Sequence, residues 1–299
     1  MTLSFLQFID LPQHQLGGFD HADVHLRSGR VYVAHTVTGS VEVLDGDRSK
    51  HVSTIRRCPE ASGVICAQDD NLIFAAARGT GYILVIDALT ARVLKTLKAG
   101  SRPNGIAWDS RHKQLLAADV GDFNVRLVDL SSEKLVTSLK LPGRPRWCKY
   151  SDKLDLFLVN VHGPSGLVML APENLTEKSF VAISVVGAHG LDIDEENNLA
   201  FVACDGGAVV VLDVIARREK AAVPIGGEPD VIWYNRDKHL LYCAIGRPGL
   251  IEVIDTKELV VNERVMTEEG AHTLTFDEKR QKLYAFLPKS CRAAVYGEI

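Results

Sequence analysis

Ile83-Leu84-Val85-Ile86-Asp87 is four apolar residues closed by an aspartate, and the pattern returns every 42 residues. Val41-Glu42-Val43-Leu44-Asp45 stands one step upstream and Val125-Arg126-Leu127-Val128-Asp129 one step downstream. Leu167-Val168-Met169-Leu170-Ala171, Val209-Val210-Val211-Leu212-Asp213, Ile251-Glu252-Val253-Ile254-Asp255 and Ala293-Ala294-Val295-Tyr296-Gly297 continue the series. The closing positions are 45, 87, 129, 171, 213, 255 and 297, and five of the seven are Asp. A fixed period between about 20 and 50 residues marks a repeat architecture. The aspartate has a local reason, since its carboxylate can accept backbone N–H bonds from the turn that follows.

Each unit holds four short apolar runs separated by turn residues. In the third unit these are Asn104–Trp108, Leu115–Ala118, Val125–Val128 and Leu135–Leu139. Short β-branched or aromatic runs bounded by Gly, Asp, Asn and Ser are strands. Third strands such as Val209–Leu212 are apolar at successive positions, which predicts cover on both faces. Four-stranded sheets repeating at this period predict an all-β fold, one seven-bladed β-propeller spanning residues 1–299. First strands are expected near Asp23–Leu26, Gly63–Ala67, Gly105–Asp109, Trp147–Ser151, Gly190–Asp194, Val231–Asn235 and Thr273–Asp277. The seventh unit stops one strand short, and Gln7-Phe8-Ile9-Asp10-Leu11-Pro12 aligns with Thr137–Pro142. Residues 3–11 are therefore expected as the outer strand of blade seven, closing the ring and covering its open edge.

Composition excludes other classes. The 34 Lys+Arg and 38 Asp+Glu leave a formal charge of −4 with no basic run, so no nucleic-acid footprint is present. No apolar run approaches the roughly 18 residues of a membrane span. Met1–Leu16 lacks Lys and Arg and does not read as a secretory signal. Cys58, Cys66, Cys148, Cys204, Cys243 and Cys291 form no C-x-x-C pair. Reduced thiols and a soluble cytoplasmic protein are the expectation.

The unit resembles the YVTN-repeat propeller family. The resemblance lies in second strands such as Val31-Tyr32-Val33-Ala34 and Leu241-Tyr242-Cys243-Ala244, in third strands ending Val-Ile-Asp, and in Gly-x-Pro leads such as Gly143-Arg144-Pro145. It implies the propeller fold and is nearly silent on activity. The Trp-Asp ending of WD40 repeats is absent from the third strands.

The two faces differ. Turns joining strands one and two are charged, as in Ser110–Lys113, Glu195–Asn198, Arg236–Lys238 and Glu278–Arg280, and read as a solvated rim. Turns joining strands two and three are rich in Gly, Pro and His, as in Arg78–Gly81 and Val161–Gly166. Just before each first strand, side chains should converge on the mouth of the central channel: His21, Ser62, Asn104, Arg146, His189, Asp230 and His272. Neighbouring loops add His35, Asp119, Asn160, His162 and Asp205.

A concave site with convergent polar groups is the default binding site. We expect a small ligand or a protein partner there, with His21, His35, Asn104, His162, Asp205 and Asp230 as contacts. An alternative is catalysis by His189, His272 and Arg146 on an anionic or lactone substrate, with Arg146 holding a carboxylate or phosphate and a His as acid or base. Imidazole and carboxylate also suit a divalent metal, for which His189, His272 and Asp230 are the candidates. Gly187-Ala188-His189-Gly190-Leu191 and Gly270-Ala271-His272-Thr273-Leu274 resemble runs of virginiamycin-type lyases, which are seven-bladed propellers. That likeness implies a lyase, and the His and Arg pairing is also similar to propeller lactonases. Where those lyases carry His, Glu228-Pro229-Asp230 carries Asp. Trp108, Trp147 and Trp233 read as packing between blades. His25 reads as a structural channel residue.

Overall fold

The computed structural model describes residues 3–15 and 17–298. These form seven antiparallel sheets of four strands each. The inner strands of blades one to seven are Phe19–His25, Ala61–Ala67, Pro103–Asp109, Pro145–Ser151, Ala188–Asp194, Glu228–Asn235 and Thr273–Asp277. Each inner strand packs on the inner strand of the next blade, and that of blade seven packs on that of blade one. The sheets therefore stand face to face in a closed ring around a channel.

The outer strand of blade seven is Leu3–Asp10, as the alignment predicted. It runs antiparallel to Arg292–Glu298, with Ile9 opposite Ala293 and Asp10 opposite Arg292. Leu11 extends the pairing by one bond, its N–H reaching Cys291 O at 2.9 Å. Leu3 and Ile9 are buried, while Phe5, Leu6 and Phe8 are half exposed.

The core is divided as the repeat requires. Seven hydrophobic clusters alternate with the seven blades, each built from facing sides of two neighbours. Third strands such as Ala208–Asp213 are buried along nearly their whole length, the cover on both faces that their sequence predicts. Outer strands alternate or are exposed, as in Lys134–Lys140. Tyr32, Tyr242 and Tyr284 occupy the same register position and are fully buried, and Tyr32 donates to Ala88 O of the next blade at 2.7 Å.

The closing aspartates cap their turns. Asp87 Oδ1 accepts from Leu89 N at 3.0 Å and Thr90 N at 2.7 Å, and Asp45, Asp129, Asp213 and Asp255 make equivalent bonds. Blade four has Ala171 at that position, and its third strand ends one residue earlier, at Leu170. The third strand of blade seven runs one residue beyond Gly297, to Glu298. The charged turns do more than meet solvent. Arg236 pairs with Glu278, Lys153 donates to Glu195 O and Glu196 O, and Arg280 pairs with Asp47, each tying one blade to the next. All six cysteines are free, and no helix is long and apolar enough to cross a membrane.

Candidate functional site

Six of the seven inner strands slip their pairing register at the same place. The slips fall at Phe19/Ala22, Ala61/Val64, Pro103/Gly105, Pro145/Cys148, Ala188/Leu191 and Pro229/Ile232. Such a bulge leaves a residue unpaired and re-aims its side chain. The first residues of the bulges are Asp20, Ser62, Asn104, Arg146, His189 and Asp230, and His272 stands at the matching point before Thr273. In blades one to six the strands thus begin earlier than expected and the mouth residues lie inside them, whereas the inner strand of blade seven begins at Thr273 as expected. In blade one the residue in register is Asp20 rather than His21.

These side chains form a nearly continuous belt. The Arg146 guanidinium abuts the His189 ring, with Nη2 3.0 Å from Nδ1. His189 lies between two carboxylates, Nδ1 2.9 Å from Asp205 Oδ1 and Nε2 3.0 Å from Asp230 Oδ1. Asp230 Oδ2 is 3.6 Å from His272 Nδ1, and His272 Nε2 donates to Phe19 O at 2.7 Å. Asp20 faces Arg78 at 3.7 Å, and Arg78 donates to Asn104 Oδ1 at 2.7 Å. His162 joins from outside, 3.1 Å from Asp205 Oδ2. Arg78, His162 and Asp205 are each the first residue past a second strand.

His35 does not belong to this belt. It is the last residue of its second strand, and its counterparts at 42-residue steps, Ala77, Asp119 and Val161, are buried like it. Side chains alternate along a strand, so one position decides between blade and mouth. His35 stacks on Phe19 with centroids 4.5 Å apart and lies 3.4 Å from Glu42. Asp119 and Asn160 are also buried, holding the Ser101 and Arg102 amides and donating to His189 O and Gly190 O respectively.

His21 points to the axis, one layer below the belt. It stacks on Trp147 with centroids 3.6 Å apart and planes 13° from parallel. The two residues come from blades one and four, on opposite walls, so the stack bridges the channel. Their layer is completed by Gly63, Gly105, Gly190, Val231 and Thr273. A Cβ on Gly63, Gly105 or Gly190 would come within 2.3, 2.3 or 2.0 Å of the next blade's Asn104, Arg146 or Asp230 carbonyl oxygen. Trp147 is therefore a channel residue as well as a member of the hydrophobic cluster between blades four and five. Trp108 does pack between blades, its ring 4.9 Å from Phe74. Trp233 carries the Lys149 ammonium over its ring at 5.1 Å.

Electrostatics divide the mouth. Burial works against a charged His189, but Asp230 and Asp205 outweigh it and raise its pKa to about 9. Burial likewise opposes the Asp230 carboxylate, yet His189, His272 and His21 hold its pKa well below the ordinary range. On the other side, burial and then the neighbouring Arg146, Arg78 and Arg102 lower the pKa of Arg144. Arg144 makes no side-chain hydrogen bond or ion pair among the described residues. Arg146 Nε is buried without a partner.

Sequence reasoning missed Arg78, Arg102 and Arg144. The repeat held a signal for two of them, because Arg102 and Arg144 stand two residues before Asn104 and Arg146. On the far side of His189 from Arg146 opens a cavity of about 480 Å³, lined by His189, Asp205, Glu228, Asp230, Arg247 and His272 among others. The expected metal candidates His189, His272 and Asp230 meet only in pairs, through Asp230. Among the described residues, the group with donor atoms within 4.8 Å of one another is Asp109, His112 and Asp155, away from this mouth.

No protein-family model matches the chain, and no curated protein resembles it in sequence. Solved structures do resemble it, 1755 chains in all. One is described as hydrazine synthase of Kuenenia stuttgartiensis, with a TM-score of 0.83 and 14% identity over 95% of this chain and 96% of that one. At that identity the likeness shows the seven-bladed fold alone.

Proposed function

We propose that the channel mouth binds a small anionic molecule, a carboxylate or phosphate, with Arg144 and Arg146 as its principal contacts. The observation that carries this reading is an excess of positive charge at one point. Arg146 lies against His189, which is itself held cationic by Asp205 and Asp230. Arg146 Nε is buried and unpartnered, Arg144 has no side-chain partner among the described residues, and Arg78 and Arg102, which share Glu60, crowd the same side. A planar guanidinium fork is suited to two-point binding of a carboxylate or phosphate. The body of the ligand would extend past His189 into the 480 Å³ cavity toward Arg247.

Binding is favoured over the lyase or lactonase reading by the state of His189. Both its ring nitrogens face carboxylates, so it has no free lone pair with which to take a proton. Its role here is to position Asp205 and Asp230 and to add charge.

Calorimetric titration with inorganic phosphate and with malonate tests the proposal. Saturable binding is expected, weakened about 10- to 100-fold in Arg146→Ala, the loss of a charge-assisted hydrogen bond of roughly 1.5–3 kcal/mol. Wild-type protein that takes up neither anion, or Arg144→Ala and Arg146→Ala that bind as tightly as wild type, would end it.

A further inference from the structure

The opposite end of the channel carries a second site of opposite character. Below the His21–Trp147 stack, the next axial layer is Asp23, Ile65, Ala107, Lys149, Asp192, Trp233 and Thr275. It holds two carboxylates and one ammonium. Lys149 Nζ is 2.9 Å from Asp192 Oδ1 and lies over the Trp233 ring. Asp23 accepts the Val24 and Cys66 amides at 2.7 Å each, but no cationic side chain lies within ion-pair distance of it among the described residues. Thr275, the member from blade seven, is fully buried and its Oγ1 has no hydrogen-bond partner. Its strand neighbours Leu274 and Phe276 are in the core, so alternation turns Thr275 to the axis.

A cavity of about 330 Å³ opens at Asp23. Its charged lining is Asp23, Asp69, Asp70 and Asp152 against Lys149, and its walls include Trp108 and Tyr150. The protein's own ammonium groups show what this end accepts. Lys149 combines Asp192 with the Trp233 face, and Lys113 combines Asp70 at 2.7 Å with the Trp108 ring at 5.8 Å. An ammonium between a carboxylate and an aromatic ring gains both ion pairing and cation–π attraction. Asp23 is the carboxylate of this group left without such a partner.

We infer that the channel end opposite the arginines binds an alkylammonium ligand, with Asp23 as its counter-charge and Thr275 as a hydrogen-bond acceptor. Burial of Asp23, which raises its pKa to about 6, is the cost an arriving cation would offset. The site stands independently of the anion site, since the His21–Trp147 stack lies between them.

The probe is 1,4-diaminobutane, titrated into the full chain by calorimetry at constant ionic strength. Saturable binding is expected, at least ten-fold weaker in Asp23→Asn. Ala107→Lys, which extends a tethered ammonium from blade three into the same cavity, should abolish it and tests the site even if Asp23→Asn fails to fold. Arg144→Ala should leave it unchanged. The proposal is overturned if the wild type shows no saturable binding, if Ala107→Lys binds as the wild type does, or if sodium or calcium at equal charge displaces the diamine.

Discussion

His189 is held charged by two carboxylates, one at each ring nitrogen. Its folded pKa of about 9 lies above the ordinary value of 6.5, so the stabilisation it supplies is complete below about pH 6.5 and lost as pH rises through 9. The urea midpoint should therefore fall between pH 7 and 10 more steeply in wild type than in His189→Gln. In Asp230→Asn the His189 ring, followed by NMR, should titrate well below 9. An unchanged midpoint in that variant would deny Asp230 its part. The His21–Trp147 stack should show as coupling. Alanine at either site removes the contact, and a double-mutant cycle on unfolding should return about 0.5–1.5 kcal/mol. Additive single variants would mean the rings merely lie close. Residue roles were legible only in part. Counting by 42 reached Arg146, Asp230 and His272, because a repeat carries register along the chain, and His189 stands one residue past its count. The count lands on Asp20, but the expected mouth residues His21 and His35 each lie one residue off the position that faces the belt, since a bulge or a strand end decides which way a side chain turns.

At the level of the element, the outer strand Leu3–Asp10 differs from the other six. The others each carry at least one Lys or Arg, while this one has none. Its Leu3 and Ile9 belong to the clusters on either side of blade seven. Removing residues 1–12 should lower the melting temperature sharply or cause aggregation, since the edge beneath is Ala293 to Tyr296 with its hydrogen-bonding groups bare. A truncated protein that melts with the full chain would refute closure by this strand. The turn aspartates make a smaller test. Asp87→Ala removes an acceptor for Leu89 N and Thr90 N and should cost about 1 kcal/mol in denaturant unfolding. The elements were the most legible part of the chain. Short strands, turn residues and the aspartate cap are local facts, set by neighbours within a few residues.

Across the whole molecule, seven clusters hold seven blades with no break at the point where the chain ends meet. Native-state hydrogen exchange should then protect the inner three strands of blade seven as well as those of its neighbours, with the outer strands exchanging first. Early exchange throughout blade seven alone would show a ring held shut only loosely. The chain by itself determined the number of blades, the order of strands and the borrowed closing strand, because each follows from a period that any part of the sequence repeats. Only the tertiary structure decided what the channel holds. The pairs Arg146–His189 and His189–Asp230 join residues 43 and 41 positions apart, and His21 meets Trp147 across 126. No local pattern encodes such meetings, since they arise when separate bulges, each fixed within its own blade, are brought to one axis by the packing of the others.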